Sequence, residues 1–107
     1  AANSGVDIGD VDVTSVAIPS AIFSGKKTVS SAGTAEAIAS SQAILSGVTV
    51  KALAGNSGIV YIGPSSVDST NGLELSAKES VFLEVANLAT VYVDAASSSD
   101  GITYLAS

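Results

Sequence analysis

Apolar and polar residues alternate in short runs along most of the chain. Val48, Val50 and Ala52 alternate with Thr49, Lys51 and Leu53. Val81, Leu83 and Val85 alternate with Phe82 and Glu84, Val91 and Val93 with Tyr92 and Asp94, and Ile102 and Tyr104 with Thr103 and Leu105. A period of two places successive side chains on opposite faces of an extended chain, so each run predicts a strand. Ile59-Val60-Tyr61-Ile62 and Leu73-Glu74-Leu75 read as two more, and Lys27 to Ser30 and Thr34 to Ile38 flank a turn at Ala32-Gly33. The Ala-rich stretch from Thr34 to Ala39 also fits the start of a helix capped by Thr34. It runs into Ser40-Ser41, which disfavour helix interiors, and strand is the preferred reading.

Turn residues punctuate these runs. Gly55-Asn56-Ser57-Gly58 predicts a hairpin joining the strand at 48–53 to the one at 59–62, with a positive φ within Asn56 to Gly58. Gly63-Pro64, Asn71-Gly72 and Ser97 to Gly101 close or open other strands. Eight to nine strands at spacings of about 8 to 12 residues predict an all-β fold, an antiparallel β-sandwich that is jelly-roll-like, with an immunoglobulin-like sandwich as the alternative. No helical stretch of crossover length separates the strands, which excludes a parallel sheet.

Residues 1–25 differ from the rest and are expected to form an N-terminal extended arm or the first strand, ahead of a β-sandwich domain over 26–107. Val11, Val13 and Ser15 fall on one face and Asp12 and Thr14 on the other. Pro19 has no N–H to give to a ladder, which places this stretch at an edge or in an arm. Ile18, Ile22 and Phe23 need burial against the domain or a neighbour.

Composition narrows the picture. Of 107 residues 47% are hydrophobic and 13% charged, and the net charge is -6. Val, Ile, Leu and Phe number 30, enough for a core, but 17 of the hydrophobic residues are Ala, which predicts a thin one. A domain of this size buries only about 60 to 70% of the surface its unfolded chain exposes, so a partner surface would help. A closed homo-oligomer, a trimer or dimer, is therefore expected. An acidic chain without Arg lacks the basic footprint of a nucleic-acid binder. No apolar run approaches the ~20 residues of a membrane-spanning helix, and no signal peptide is evident at the start. A small first residue suits removal of an initiator Met, so a complete chain made in the cytoplasm is expected.

The sequence holds no His, Cys, Met, Trp or Arg. Ser has no His to activate it, and no Ser-x-x-Lys motif accompanies the lysines. Glu74 and Glu84 sit between apolar strand residues and are expected to face solvent. Asp7, Asp10 and Asp12 have the oxygen chemistry of calcium ligands but not the spacing of an EF-hand loop, so a solvated acidic face is expected. Tyr61, Tyr92 and Tyr104 are candidates for a sugar-binding platform, set against ordinary packing of strand aromatics. Neither a catalytic site, a cofactor nor a metal is expected.

The order of these motifs resembles that of a family of small structural proteins encoded by tailed bacteriophages. The elements are Gly25 to Val29, Gly33 to Ala35, Val48 to Ala52, Asn56 to Gly63, Ser69 to Gly72, Leu75 to Val85, Val91 to Ala95 and Gly101 to Leu105, about four fifths of the chain. The resemblance implies a non-enzymatic capsid decoration, or cement, protein on the outer capsid surface of a virion, made in the host cytoplasm, whose partner is the major capsid protein. Alternatives are a head-tail, tail or baseplate component and a glycan-binding adhesion module. Partner contact is expected from Val11, Val13, Ile18, Pro19, Ile22, Phe23, Lys26 and Lys27.

Overall fold

The computed structural model describes residues 18–107. Eight strands lie among them: β1 (Phe23–Thr28), β2 (Glu36–Ala37), β3 (Val48–Ala52), β4 (Val60–Gly63), β5 (Leu73–Leu75), β6 (Ser80–Leu83), β7 (Tyr92–Ala95) and β8 (Gly101–Ala106). The single helical element is a 3-10 turn at Leu88–Thr90, capped by the Asn87 side chain, which accepts from Ala89 N. Within 34–39 no helix forms; Glu36 and Ala37 pair as a strand and the chain bends at Ile38 and Ala39.

Two four-stranded sheets form, in the orders β1-β8-β3-β6 and β2-β7-β4-β5, and every pair is antiparallel. The partners β4 with β5, β3 with β6, β2 with β7 and β1 with β8 are nested, as in one long antiparallel ribbon. Rolling that ribbon adds the contacts of β8 with β3 and β7 with β4 and closes two sheets over one core. The result is an antiparallel β-sandwich of two four-stranded sheets. In the immunoglobulin-like alternative several hairpin-linked neighbours share a sheet. Here β4 and β5 alone among consecutive strands do so.

That wrapping corrects the predicted hairpin at 55–58. Residues 48–52 and 60–63 belong to different sheets, and Gly55 to Gly58 are a crossover between layers. Glycine at 58 does not adopt a positive φ; the glycines that do are Gly33 and Gly47. The Ser97 to Gly101 connection is likewise a crossover, from β7 to β8.

Alternation decides what each sheet buries. In β3 Val48, Val50 and Ala52 are buried and Thr49 and Lys51 are exposed. Ile102 and Ala106 stand beside them in the same sheet, Val60, Ile62, Val93 and Ala95 belong to the opposite sheet, and Val29, Ile38, Ile44, Leu75, Leu88 and Val91 complete the cluster. Only three of these fifteen core residues are Ala, at positions 52, 95 and 106. The core is therefore built from branched aliphatics, and most of the alanines fall outside it. At ~1.5 to 3 kcal/mol for each fully buried large aliphatic, these side chains carry the main favourable term.

β1 extends across the boundary expected between residues 25 and 26. Phe23, Ser24 and Gly25 pair with Ala106, Leu105 and Tyr104, and Phe23 packs against the core. The sandwich thus begins by Phe23. The expected strand at 11–16 lies outside the described residues.

At Gly101 an added Cβ would collide with the Lys27 carbonyl and with Thr28 Cα, because β1 and β8 close on each other there. At Gly58 it would meet Ala96 Cβ at 3.4 Å, an ordinary contact. Gly101→Ala should therefore cost about 2 to 3 kcal/mol, the range of overpacking, and Gly58→Ala less than about 1 kcal/mol. Urea denaturation of the two variants measures the difference.

Candidate interaction surface

The sheets present unequal outer faces. On the second sheet (β2-β7-β4-β5) the outward residues are covered by two loops. Val67, in the β4–β5 connection, is buried and sits where a Cβ on Gly63 or Gly72 would be, 2.9 and 2.8 Å from its methyl carbon. The other loop caps Asp94, whose Oδ1 accepts from Gly33 N at 2.9 Å and from Ala95 N at 2.7 Å, while Ala32 N donates to Ser98 Oγ.

Among the described residues no loop covers the strand positions on the outer face of the first sheet. Two rows cross it. Ser24, Leu105, Thr49 and Phe82 stand side by side in one, and Lys26, Thr103, Lys51 and Ser80 in the next. Phe82 and Leu105 are 55% and 54% exposed. At the same end of the sheet, Leu45 N donates to the carbonyl of Ser107, and Ile22 borders a depression shared with Ser46 and Ser107. Ile22 is 74% exposed and Leu45 is exposed as well. The face therefore combines an apolar end with a cationic row. Lys26 and Lys51, two strands apart, are separated by about 10 Å. No Asp or Glu occupies a strand position on this face, although the chain carries ten acidic residues against four lysines.

Of the residues expected at a partner contact, Lys26 lies on this face, Pro19 and Ile22 line the depression at its end, and Ile18 is exposed. Val11 and Val13 are outside the described residues. The register of β1 turns Phe23 and Lys27 toward the interior side. Lys27 Nζ pairs with Glu36 Oε1 at 2.8 Å, tying β1 of one sheet to β2 of the other. Lys51, Phe82, Leu105 and Leu45 were not anticipated. The alternation in VTVKA and GITYL marks Lys51 and Leu105 as outward, but only the pairing of β3 and β8 puts them on the same face as Lys26.

The remaining candidate chemistry resolves into structure. Tyr61 and Tyr92 are half-buried on the outer side of the second sheet, and Tyr104 turns inward over Gly25 in the first. The three do not make one platform. Glu74 and Glu84 are exposed, as expected. Among the described residues no group of three or more His, Cys, Asp or Glu side chains is placed to hold a metal ion, and Asp7, Asp10 and Asp12 lie outside them. No helix among the described residues is long and apolar enough to cross a membrane.

Asp100, buried in the β7–β8 crossover, spends its charge on backbone. Its two oxygens accept from Ser57 N at 3.0 Å and Gly58 N at 2.8 Å, with the Ser57 hydroxyl at 3.4 Å. Beside it the Asn56 side chain donates to Gly101 O and accepts from Gly101 N, both at 2.9 Å. These bonds lock the two crossovers together. Comparison with known proteins finds no matching family model, no matching curated protein and no matching solved structure.

Two outcomes follow. Asp100→Ala leaves two backbone donors without acceptors and should cost about 2 to 3 kcal/mol in chemical denaturation. Glu36 titrates at about 2, below its usual 4.5, held there first by the Lys27 ammonium and then by the amide and hydroxyl of Ser30. Its contribution is full above pH 4.5 and is lost as pH falls toward 2, because the unfolded chain binds the proton first. Glu36→Gln should lower Tm at pH 7 and flatten the decline of Tm between pH 4.5 and 2.

Proposed function

We propose that this chain is a non-enzymatic virion structural protein. It decorates the expanded icosahedral capsid of a tailed bacteriophage from the outside and stabilises it by bridging major capsid proteins, as a trimer or dimer. One observation carries the reading: the uncovered outer face of the first sheet, where Phe82, Leu105, Ile22 and Leu45 adjoin Lys26 and Lys51. An exposed apolar patch beside a cationic row suits a partner surface that offers apolar side chains and carboxylates. The resemblance of its strand and turn motifs to those of small phage structural proteins supports the same reading, as does an all-β sandwich whose conspicuous polar groups are spent on its own loops.

The mechanism is linkage. A protein that binds the expanded lattice and not the unexpanded one stabilises the former by about 2.7 kcal/mol per site at a hundredfold excess over Kd. Repeated over many sites, that resists the outward pressure of packaged DNA. Apolar contacts supply the affinity, while the lysines set orientation and exclude surfaces of like sign.

The test is cosedimentation with expanded and unexpanded capsids. The wild-type chain should bind expanded capsids selectively, in a copy number commensurate with the major capsid protein. Lys26→Glu/Lys51→Glu should bind at least tenfold more weakly with an unchanged circular dichroism spectrum, since both side chains are exposed. Glu74→Lys, on the other sheet, should bind normally. Equal binding by wild type and the double variant would refute the assignment of this face. A few copies per particle would place the protein in the neck, tail or baseplate instead.

A further inference from the structure

Each sheet ends in two edge strands, and the four edges differ in what they offer another chain. β2 and β5 are two and three residues long. β5 also carries Glu74 at its middle, and β1 carries Lys26 and Lys27. Short length and charge are what keep a sheet edge from pairing. β6, Ser80-Val81-Phe82-Leu83, is longer than β2 or β5 and uncharged. Among the described residues only β3 pairs with it. The carbonyl of Glu79 accepts from Ala52 N at 2.8 Å, so alternation turns the N–H and C=O of Ser80 and Phe82 away from β3, toward the outer edge. The Phe82 side chain is exposed beside them.

We propose that a second copy of this chain pairs with this edge through its own β6, antiparallel about a two-fold axis at Phe82. The two phenylalanines then exchange both backbone bonds and stand side by side on the outer face, while Val81 of each copy meets Leu83 of the other on the inner side. Ser80 meets Glu84 of the second copy. Ser80 is also opposite Lys51 in its own sheet, so Lys51, Ser80 and the second copy's Glu84 form one row. Lys51 and that Glu84 are two strand spacings apart at the backbone, about 10 Å, and their long side chains close the gap over the small serine. The two-fold repeats this contact on the other side of the Phe82 pair.

Moving the axis loses the match. At Val81 it would set Phe82 against Ser80 and Glu79 against the apolar Leu83; at Leu83 it would set Phe82 against Glu84. Charge complementarity and the aromatic pair therefore select the same register. The interface uses the same patch on both copies and closes at two. This pairing goes beyond the capsid reading and does not rest on it, and its test uses no capsid.

Because the chain has no native Cys, a single introduced cysteine reads the register. Directly opposed residues of a hydrogen-bonded pair have Cα atoms about 5.5 Å apart, within disulfide reach. Ser80 and its copy would stand four positions apart along the strands, about 14 Å. Full-length Phe82→Cys should therefore oxidise to a disulfide-linked dimer at least roughly tenfold faster than Ser80→Cys at equal concentration. In sedimentation equilibrium the wild-type chain should be a dimer at tens of micromolar. Lys51→Glu should weaken that association roughly tenfold, and Lys51→Glu/Glu84→Lys should restore it. All four positions are exposed, so circular dichroism should be unchanged throughout. A monomeric or trimeric wild type, equal crosslinking of the two cysteine variants, or a charge-swapped variant as weak as Lys51→Glu would each overturn the proposal.

Discussion

The sandwich depends on Asp100. A ribbon rolled into two sheets must cross between layers repeatedly, and each crossover carries backbone donors that no strand ladder satisfies. The β3–β4 and β7–β8 crossovers lie against each other, and the Asp100 carboxylate takes the amides of Ser57 and Gly58 from one while belonging to the other. Asn56 completes the joint by making both of its amide bonds to Gly101. With the crossovers fixed, β8 enters between β1 and β3, and the last strand is held by the first. Gly101 permits this because any side chain there would strike β1.

A second consequence of the wrapping is asymmetry. Loops that fold back over the second sheet bury Val67 and Asp94 and leave its tyrosines half covered. Among the described residues no loop folds back over the first sheet in this way, and its outer rows stay open. Exposed Phe82 and Leu105 are the cost of that openness. Single exposed apolar residues are common in proteins, but an apolar end beside a cationic row, on a strongly acidic chain, is a local departure, and the proposed partner contact rests on it. The pairing of Lys27 with Glu36 sharpens it, since it withdraws one lysine from solvent and leaves Lys26 and Lys51 as the cations of the face.

The sequence by itself determined the fold class. Period-two alternation and turn residues define strands because the geometry of an extended chain is local. They also define what is buried: Val48, Val50, Val60, Val93 and Ile102 lie in the core as their patterns imply. The missing His, Cys and Arg narrowed the available chemistry without reference to any structure.

Tertiary structure alone decided which strands are neighbours. The glycine-rich loop at 55–58 has the composition of a hairpin, yet it is a crossover, because Asp100, more than forty positions away, supplies acceptors that no local pattern reveals. Position 94 reads as a solvent-facing Asp in an alternating strand and is buried, because a distant loop brings Gly33 over it. The interaction surface was legible only in part for the same reason. Lys26 stood out as a charge, but its company with Lys51, Phe82 and Leu105 is a product of register between strands far apart in sequence. Alternation fixes the side of the strand on which a residue lies, and only the pairing fixes what stands beside it.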